Sequence, residues 1–420
     1  MNDILMVYPH PTIDSPVKLT PLSILYPGVL WEKQGFSVQY WDERYDSMEM
    51  LTDLIKHSNE IAVSAMTGYQ CGRAAEILEM AKAIKPSIVT AVGGHHARLL
   101  SEQVLNESFV DKIYPEAHYG EDLFPYNGHT KVHFQRTEMQ YMTSSGCPHN
   151  CSFCCLNEEW RPKDIRQLEY ELKTMHEDIG FDAISFSDPN ICFGKSHAER
   201  IDRIKKIGKI TRDIGIKWDG NLRSPYLVPE MVDALEESNC CSIEIGCESG
   251  NDWFLKNIIK KGHGIDTIMQ AATNIRNSGI SIMYSFMSHM PRETPEMLAD
   301  TLNLIDWIVD ADPKARISIY NYAPYPGSKM YDDAINGIGY KKFEPPTTMR
   351  GWAELPLMKS PLYWIAGLCF RQDNSRKNFQ GDDWKLIEPY IELAKNKWEK
   401  RDIEEFPCEE VEELMRRNFK

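Results

Sequence analysis

No stretch of this 420-residue chain is both long and uncharged enough to cross a bilayer, so a hydrophobic membrane helix is excluded from its reading. The opening residues, Met1-Asn2-Asp3-Ile4-Leu5-Met6-Val7-Tyr8-Pro9, lack the basic region and cleavage site of a secretory leader. They read as a buried first strand, and a cytoplasmic location is expected. Basic residues are in the minority, 47 Lys and Arg against 62 Asp and Glu, and the formal charge of -15 argues against a broad nucleic-acid surface. Low-complexity tracts and short repeats are missing as well. What remains is a soluble globular composition, 42% hydrophobic and 26% charged, long enough for two or three domains. In a reducing compartment its 11 cysteines are thiols and ligands rather than disulfides.

Three of those cysteines share one short loop, Cys147-Pro148-His149-Asn150-Cys151-Ser152-Phe153-Cys154. A cubic iron–sulfur cluster normally takes four thiolates, so a loop with three leaves one iron open to a ligand. A structural zinc ion would need a fourth donor, for which His149 and Cys155 are near in sequence. Zinc modules usually pair CxxC units, however, and no second pair follows. The pattern CxxxCxxC, with the aromatic Phe153 before its last cysteine, resembles the radical S-adenosylmethionine (SAM) enzymes. In that family the open iron chelates the amino and carboxylate groups of SAM, and an electron from the cluster splits the sulfur–carbon bond. The resemblance makes Cys147, Cys151 and Cys154 the metal ligands, with Phe153 beside the adenine and Cys155 a neighbour only.

Upstream, strand and helix signals alternate over residues 1 to about 125. Strands are expected at Ile4–Tyr8, Phe36–Trp41, Ile61–Met66 and Ser87–Val92, with helices at Leu22–Gln34 and Gly72–Ile84. This implies a doubly wound, Rossmann-like parallel sheet covered on both faces, with ligands at the carboxyl ends of its strands. Ser64-Ala65-Met66-Thr67 and Gly93-Gly94-His95-His96 end two of these strands, and Gly120-Glu121 follows. The set resembles the cobalamin-binding domain that precedes many radical SAM barrels. On that resemblance Ser64, Thr67, Gly93, Gly94, His95, Gly120 and Glu121 contact cobalamin. The Asp-x-His-x-x-Gly element that supplies a histidine to cobalt elsewhere is absent, and by position Tyr69 and Gln70 lie nearest the lower cobalt face.

Downstream, Lys131 to Thr143 reads as a connection ending in a first barrel strand. Strands Asp182–Ser187, Ile216–Arg223, the segment Cys241–Gly250, Ile280–Phe286 and Arg316–Tyr320 then bring the total to about six βα units, a partial (β/α)6 barrel. In radical SAM order, Asp188 and Asn190 fall where the SAM amino group or ribose is met. Arg223 falls where its carboxylate or ribose is met, and Glu248, in Gly246-Cys247-Glu248-Ser249-Gly250, resembles a Gly-x-Glu-Ser segment. Ser285 joins these cofactor contacts. His289 stands where a Gly-Leu-Pro-Gly-Glu-Thr-like turn usually has glycine, and it and Tyr320 are the candidate catalytic residues. From about Tyr331 helical segments carry Trp352, Trp364, Phe370, Trp384, Tyr390 and Trp398, which are read as core residues of a barrel cap or substrate entrance.

The expected organisation is a cobalamin-binding domain over 1–130, a radical SAM barrel over 131–330 and a helical C-terminal region over 331–420. The resemblance implies a [4Fe–4S] cluster, SAM and cobalamin, and C-methylation of an unactivated carbon with ferredoxin or flavodoxin as electron donor. The compact order, cobalamin domain first, is similar to the methanogen enzyme that methylates a glutamine of methyl-coenzyme M reductase, so a peptide or protein substrate is expected. Other readings are a small molecule or tetrapyrrole as substrate, a tRNA methylthiotransferase, and a cobalamin sensor or carrier. The methylthiotransferase would need a second cluster, for which the N-terminal region offers only Cys71. No nucleic-acid or membrane partner is expected.

Overall fold

The computed structural model describes residues 2–11, 18–114, 123–156, 158–288, 290–312, 315–339 and 342–355. Among these, a first parallel sheet contains β1 (Asn2–Tyr8), β2 (Val38–Asp42), β3 (Ser58–Ser64), β4 (Val89–Gly93) and β5 (Lys112–Tyr114) in the order β2-β1-β3-β4-β5. The chain changes winding direction between β1 and β3, which makes the crevice above them the natural ligand site of such a sheet. Both faces of the sheet are apolar because both are covered. Leu5 and Val7 of β1 pack with Trp41, Ile61 and Val63 under the helices Met48–His57 and Tyr69–Ile84. Ile4 and Met6 instead join Tyr40, Ala62 and Ala91 in a core continuous with that of the second sheet. Because that apolar core is shared, the two halves pack as one body.

The second sheet is the partial barrel. It runs β13-β12-β11-β10-β9-β6, all parallel, from β6 (Gln140–Tyr141), β9 (Ala183–Phe186), β10 (Lys217–Leu222), β11 (Cys240–Glu248), β12 (Ser281–Ser288) and β13 (Arg316–Asn321). Helices on its outer face start on local caps. Asp164 accepts from the amides of Arg166 and Gln167 to begin Ile165–Ile179, and Gly180, at φ 70°, ends that helix. Between β6 and β9 lies an antiparallel hairpin of β7 (Ser144–Cys147) and β8 (Glu158–Pro162). This hairpin, the short β5 and the helix Met48–His57 are elements that sequence periodicity did not disclose.

The C-terminal expectation needs a correction for the part described. Helix Met349–Glu354 does not lie over the barrel; it docks on the N-terminal domain. Met349 enters that domain's core, its amide donates to Glu107, and the buried Trp352 donates from Nε1 to Gln103 at 2.9 Å. Gly72 exists to admit this helix, since a Cβ there would run into the side chain of Ala353. Trp352 is thus core, as expected, in a small cluster with Ala323 and Tyr331 against which Leu100 of the N-terminal domain packs. Trp364, Phe370, Trp384, Tyr390 and Trp398 lie outside the described residues.

Candidate active site

The hairpin β7–β8 carries the cysteine loop at its tip. Gly146, at φ 74°, sits where any Cβ would collide with the Glu159 carbonyl, so the hairpin closes only with glycine there. The loop is pinned from two sides: the Ser152 amide donates to Ile259 O and the Ser152 carbonyl accepts from the Met330 amide, both at 2.9 Å. Its thiols crowd one another. Burial pushes the Cys154 thiol up to about 12, and Cys155, Cys151 and Cys147 push in the same direction. Such a set holds its negative charge only against a cation, and metal binding would displace the protons. Among the described residues no three His, Cys, Asp or Glu side chains converge as a site for a single ion.

Around the loop stand the expected SAM residues. Arg223, just past β10, donates from Nη1 to Cys151 Sγ at 3.7 Å and from Nη2 to the Lys261 carbonyl. Lys261 in turn pairs with Glu248 at 2.6 Å, both side chains less than a tenth exposed. Glu248 adopts φ 66° at an irregularity in β11, and Gly246 leaves the space the pair occupies. A non-glycine residue in that region is strained, a mark common at functional sites. Phe153 lies on the same side, with Lys261 Nζ 5.9 Å from its ring centre. Asn190 is buried beside the Tyr226 hydroxyl, yet neither its amide nitrogen nor its oxygen finds a hydrogen-bond partner of good geometry. A buried amide left open in both directions suits a ligand with donors and acceptors, as SAM is. Asp188 is committed elsewhere. Its carboxylate accepts from the Thr143 amide and hydroxyl, both at 3.0 Å, and from Ser144. It therefore anchors the chain entering the hairpin, and burial raises its pKa.

At the ends of the first sheet the expected cobalamin residues divide. Ser64, Gln70, Gly94 and His95 line a cavity of about 930 Å³, together with Tyr8 and Met66. Gln70 has its amide occupied by Met66 N at 3.0 Å and Pro9 O at 2.9 Å. Gly94, at φ 88°, is demanded by the backbone, because a Cβ there would stand 2.7 Å from the Ala65 carbonyl. His95 accepts from Arg98 at 3.2 Å, and Arg98 pairs with Glu158 of the hairpin, joining the domains. Burial, followed by Arg98, lowers the His95 pKa and favours the neutral ring. Thr67 bonds His96 at 3.1 Å instead of facing the cavity, and neither Tyr69 nor Gly93 lines it. Gly120, Glu121 and His289 lie outside the described residues.

The same cavity continues into the barrel, past Ser145, Gly146 and Glu158 of the hairpin. Its walls there are residues that sequence reasoning did not single out: Ser185, Asp219, Ser242, Glu244, Met283 and Arg316. They fall on the inward face of strands whose alternate residues are fully apolar and buried, such as Trp218, Ile243, Ile282 and Ile317. That alternation was the available signal. By the same period of two, Ser285 and Tyr320 share the inward faces of Met283 and Arg316. Ser285 donates to Glu244.

Comparison with known proteins agrees with this arrangement. The model of the radical SAM superfamily matches residues 141–305, and that of the B12 binding domain matches residues 12–124. A protein of Pyrococcus horikoshii described as an uncharacterized methyltransferase is 29% identical over 199 residues, covering 46% of this chain and 41% of its own. The chain thus spans less than half the length of that relative. The cytidylyl-2-hydroxyethylphosphonate methyltransferase of Streptomyces wedmorensis is 20% identical over 394 residues, with 69% of this chain and 73% of that one covered. Among solved structures, the radical SAM methyltransferase TsrM from Kitasatospora setae aligns with a TM-score of 0.63 at 15% identity, covering 82% of this chain and 78% of its own. The cobalamin-dependent SAM radical enzyme OxsB aligns at 0.62 and 16% identity, covering 80% and 55%. At such identities these structures speak for the fold: a B12-type sheet followed by the barrel.

Proposed function

We propose that this chain, which belongs to the cobalamin-binding radical SAM family, is a C-methyltransferase acting on a carbon with no acidic proton and no lone pair. The observation that carries the reading is one continuous cavity, bounded by the strand ends of the B12-type sheet, the cysteine hairpin and the barrel lumen. When bound, the cluster with SAM supplies a hydrogen-abstracting 5′-deoxyadenosyl radical and cobalamin supplies the methyl group.

The chain's own residues have the remaining work. Cys147, Cys151 and Cys154 hold the cluster, with Arg223 against Cys151 offsetting thiolate charge. Asn190 and the Glu248–Lys261 pair orient SAM through a buried amide and a fixed ion pair. Tyr8, Ser64, Met66 and His95 face cobalamin, and the neutral His95 ring adds no charge beside it. The shared apolar core and the Arg98–Glu158 bridge keep the sheet ends against the hairpin. Tyr320 on the inward face of β13, and His289, are the candidates for contact with substrate protons.

The finer reading is a glutamine of a protein substrate, methyl-coenzyme M reductase, with ferredoxin or flavodoxin as electron donor. It rests on the compact order of domains. The decisive experiment is anaerobic reconstitution with cluster and cobalamin, reduction, and incubation of the full chain with deuteromethyl SAM and candidate substrates. Formation of 5′-deoxyadenosine together with a deuteromethylated product is expected. Absence of 5′-deoxyadenosine from a fully loaded protein would leave only a binding role.

A further inference from the structure

None of the residues that hold cluster, SAM or cobalamin in the proposed function lies in the lower lumen of the barrel. Asp219 lies on β10 four residues before Arg223, which follows that strand, about 13 Å of extended chain. At that depth three charged groups face the cavity: Asp219, Glu244 and Arg316. Each is held by one hydroxyl. Asp219 accepts from Ser185 at 2.8 Å, Glu244 accepts from Ser285, and Arg316 donates to Ser242 at 2.7 Å. Arg316 acts on both carboxyls through its charge without forming a close ion pair with either among the described residues, and its buried Nε–H has no acceptor. Burial raises the pKa of both acids, and the hydroxyl each holds and the charge of Arg316 offset it only in part.

These groups ask for opposite things within one small space. The Arg316 Nε–H has no acceptor, and each carboxyl holds a single hydroxyl donor with lone pairs left for more. A ligand cation would meet Arg316, and a ligand anion would meet two carboxyls. A zwitterion matches the signs, but two full charges would have to give up their hydration. A primary carboxamide presents one carbonyl acceptor beside two N–H donors, with no charge to strip of water.

We propose that Asp219, Glu244 and Arg316 form the substrate-anchoring site of this enzyme and that it takes a carboxamide, its carbonyl on Arg316 and its N–H groups on the acids. The proposal rests on the methyltransferase reading, and it names the chemistry of that reaction's substrate. Such a site leaves the amide fixed at the lumen floor and directs the neighbouring carbons upward, toward the cofactor layer. The residues are positioning groups for substrate and take no part in the chemistry of SAM.

The test is calorimetric titration of the anaerobically reconstituted full chain with N-acetyl-glutamine methylamide. N-acetyl-methionine methylamide and the zwitterion norleucine serve as comparisons. The glutamine probe is expected to bind, and the other two to bind at least tenfold more weakly. Arg316→Lys keeps the charge but removes the Nε–H, and it should weaken the probe about 10- to 100-fold; the isosteric Glu244→Gln should do the same. If Arg316→Lys fails to fold by circular dichroism, Glu244→Gln alone carries the decision. Three results overturn the proposal: no binding of the glutamine probe to the unmodified protein, equal or tighter binding of either comparison compound, or unchanged affinity in a folded variant. Carboxamide binding without deuteromethyl transfer would sink the methyltransferase reading and leave this site standing. Methylation of a substrate that has no carboxamide would sink only this one.

Discussion

Along β1 the residues Ile4 to Val7 are all buried, odd and even positions against different apolar cores. Along β11 burial alternates, with Ile243, Ile245 and Cys247 fully buried and Ser242, Glu244 and Gly246 turned to the lumen. Both sheets are parallel and both carry helices, so the difference lies in what covers the second face. The N-terminal sheet has packed core on both sides and offers ligands only its strand ends. The barrel keeps one face open and offers a whole inner wall. Two large cofactors and a substrate can thereby share one cavity: the first sheet contributes a rim, the second a well.

The comparison breaks most sharply at the cysteine loop. Cys151→Ala should abolish cluster loading and 5′-deoxyadenosine formation, while cobalamin stays bound to the strand ends of the other domain. Iron content and the visible spectrum of the reconstituted variant read the two separately, and loss of both cofactors together would show that rim and well are not independent. Next in size is Lys261→Met, which leaves Glu248 buried without its cation. Breaking a buried pair from one side costs about 3–5 kcal/mol. Weakened SAM binding and a lowered melting temperature are expected, and Glu248→Gln in the same background should recover part of the stability.

A third prediction sharpens the contrast from the side of the first sheet. His96 is buried there, and burial lowers its pKa to about 4. In the unfolded chain the ring takes up its proton near pH 6.5, so the unfolded state binds more protons between those values. The stability this group confers is complete above about pH 6.5 and drains away as the pH falls toward 4, by about 3 kcal/mol in total. Denaturant melts across that window should show a slope to which His133, His149 and His263, lowered likewise by burial, also contribute, and His96→Gln should reduce it. Smallest is Gly94→Ala, where positive φ and the Ala65 carbonyl at 2.7 Å strain any side chain. A loss of about 1–3 kcal/mol is expected, with iron loading unaffected.

Much of this was legible from the chain alone, for definable reasons. Strands such as Ile61–Ser64 and Ile282–Phe286 announce themselves through dense branched and aromatic residues, and the cysteine spacing is local information. The polar strand Glu158–Pro162 was not legible, because its pairing exists only once the hairpin folds over Gly146. Asp188 was expected to face SAM; sequence gives its height on a strand end but not that Thr143 and Ser144 already hold its oxygens. The Gly-Gly at 93–94 was expected to admit a ligand, and Gly94 is explained by the backbone beside it. Asp219, Glu244 and Arg316 were within the strands that were read. Their alternation with buried Trp218, Ile245 and Ile317 needed to be seen as a lined interior.

The return of helix Met349–Glu354 to the first domain has a mechanical meaning. The chain passes from sheet to barrel once through residues 123–140 and comes back through the segment after β13. A body tethered at a single point keeps three rotations; one tethered at two separated points keeps only the swing about the line between them. The second tether thus adds to the shared apolar core in holding the rim in one register over the well.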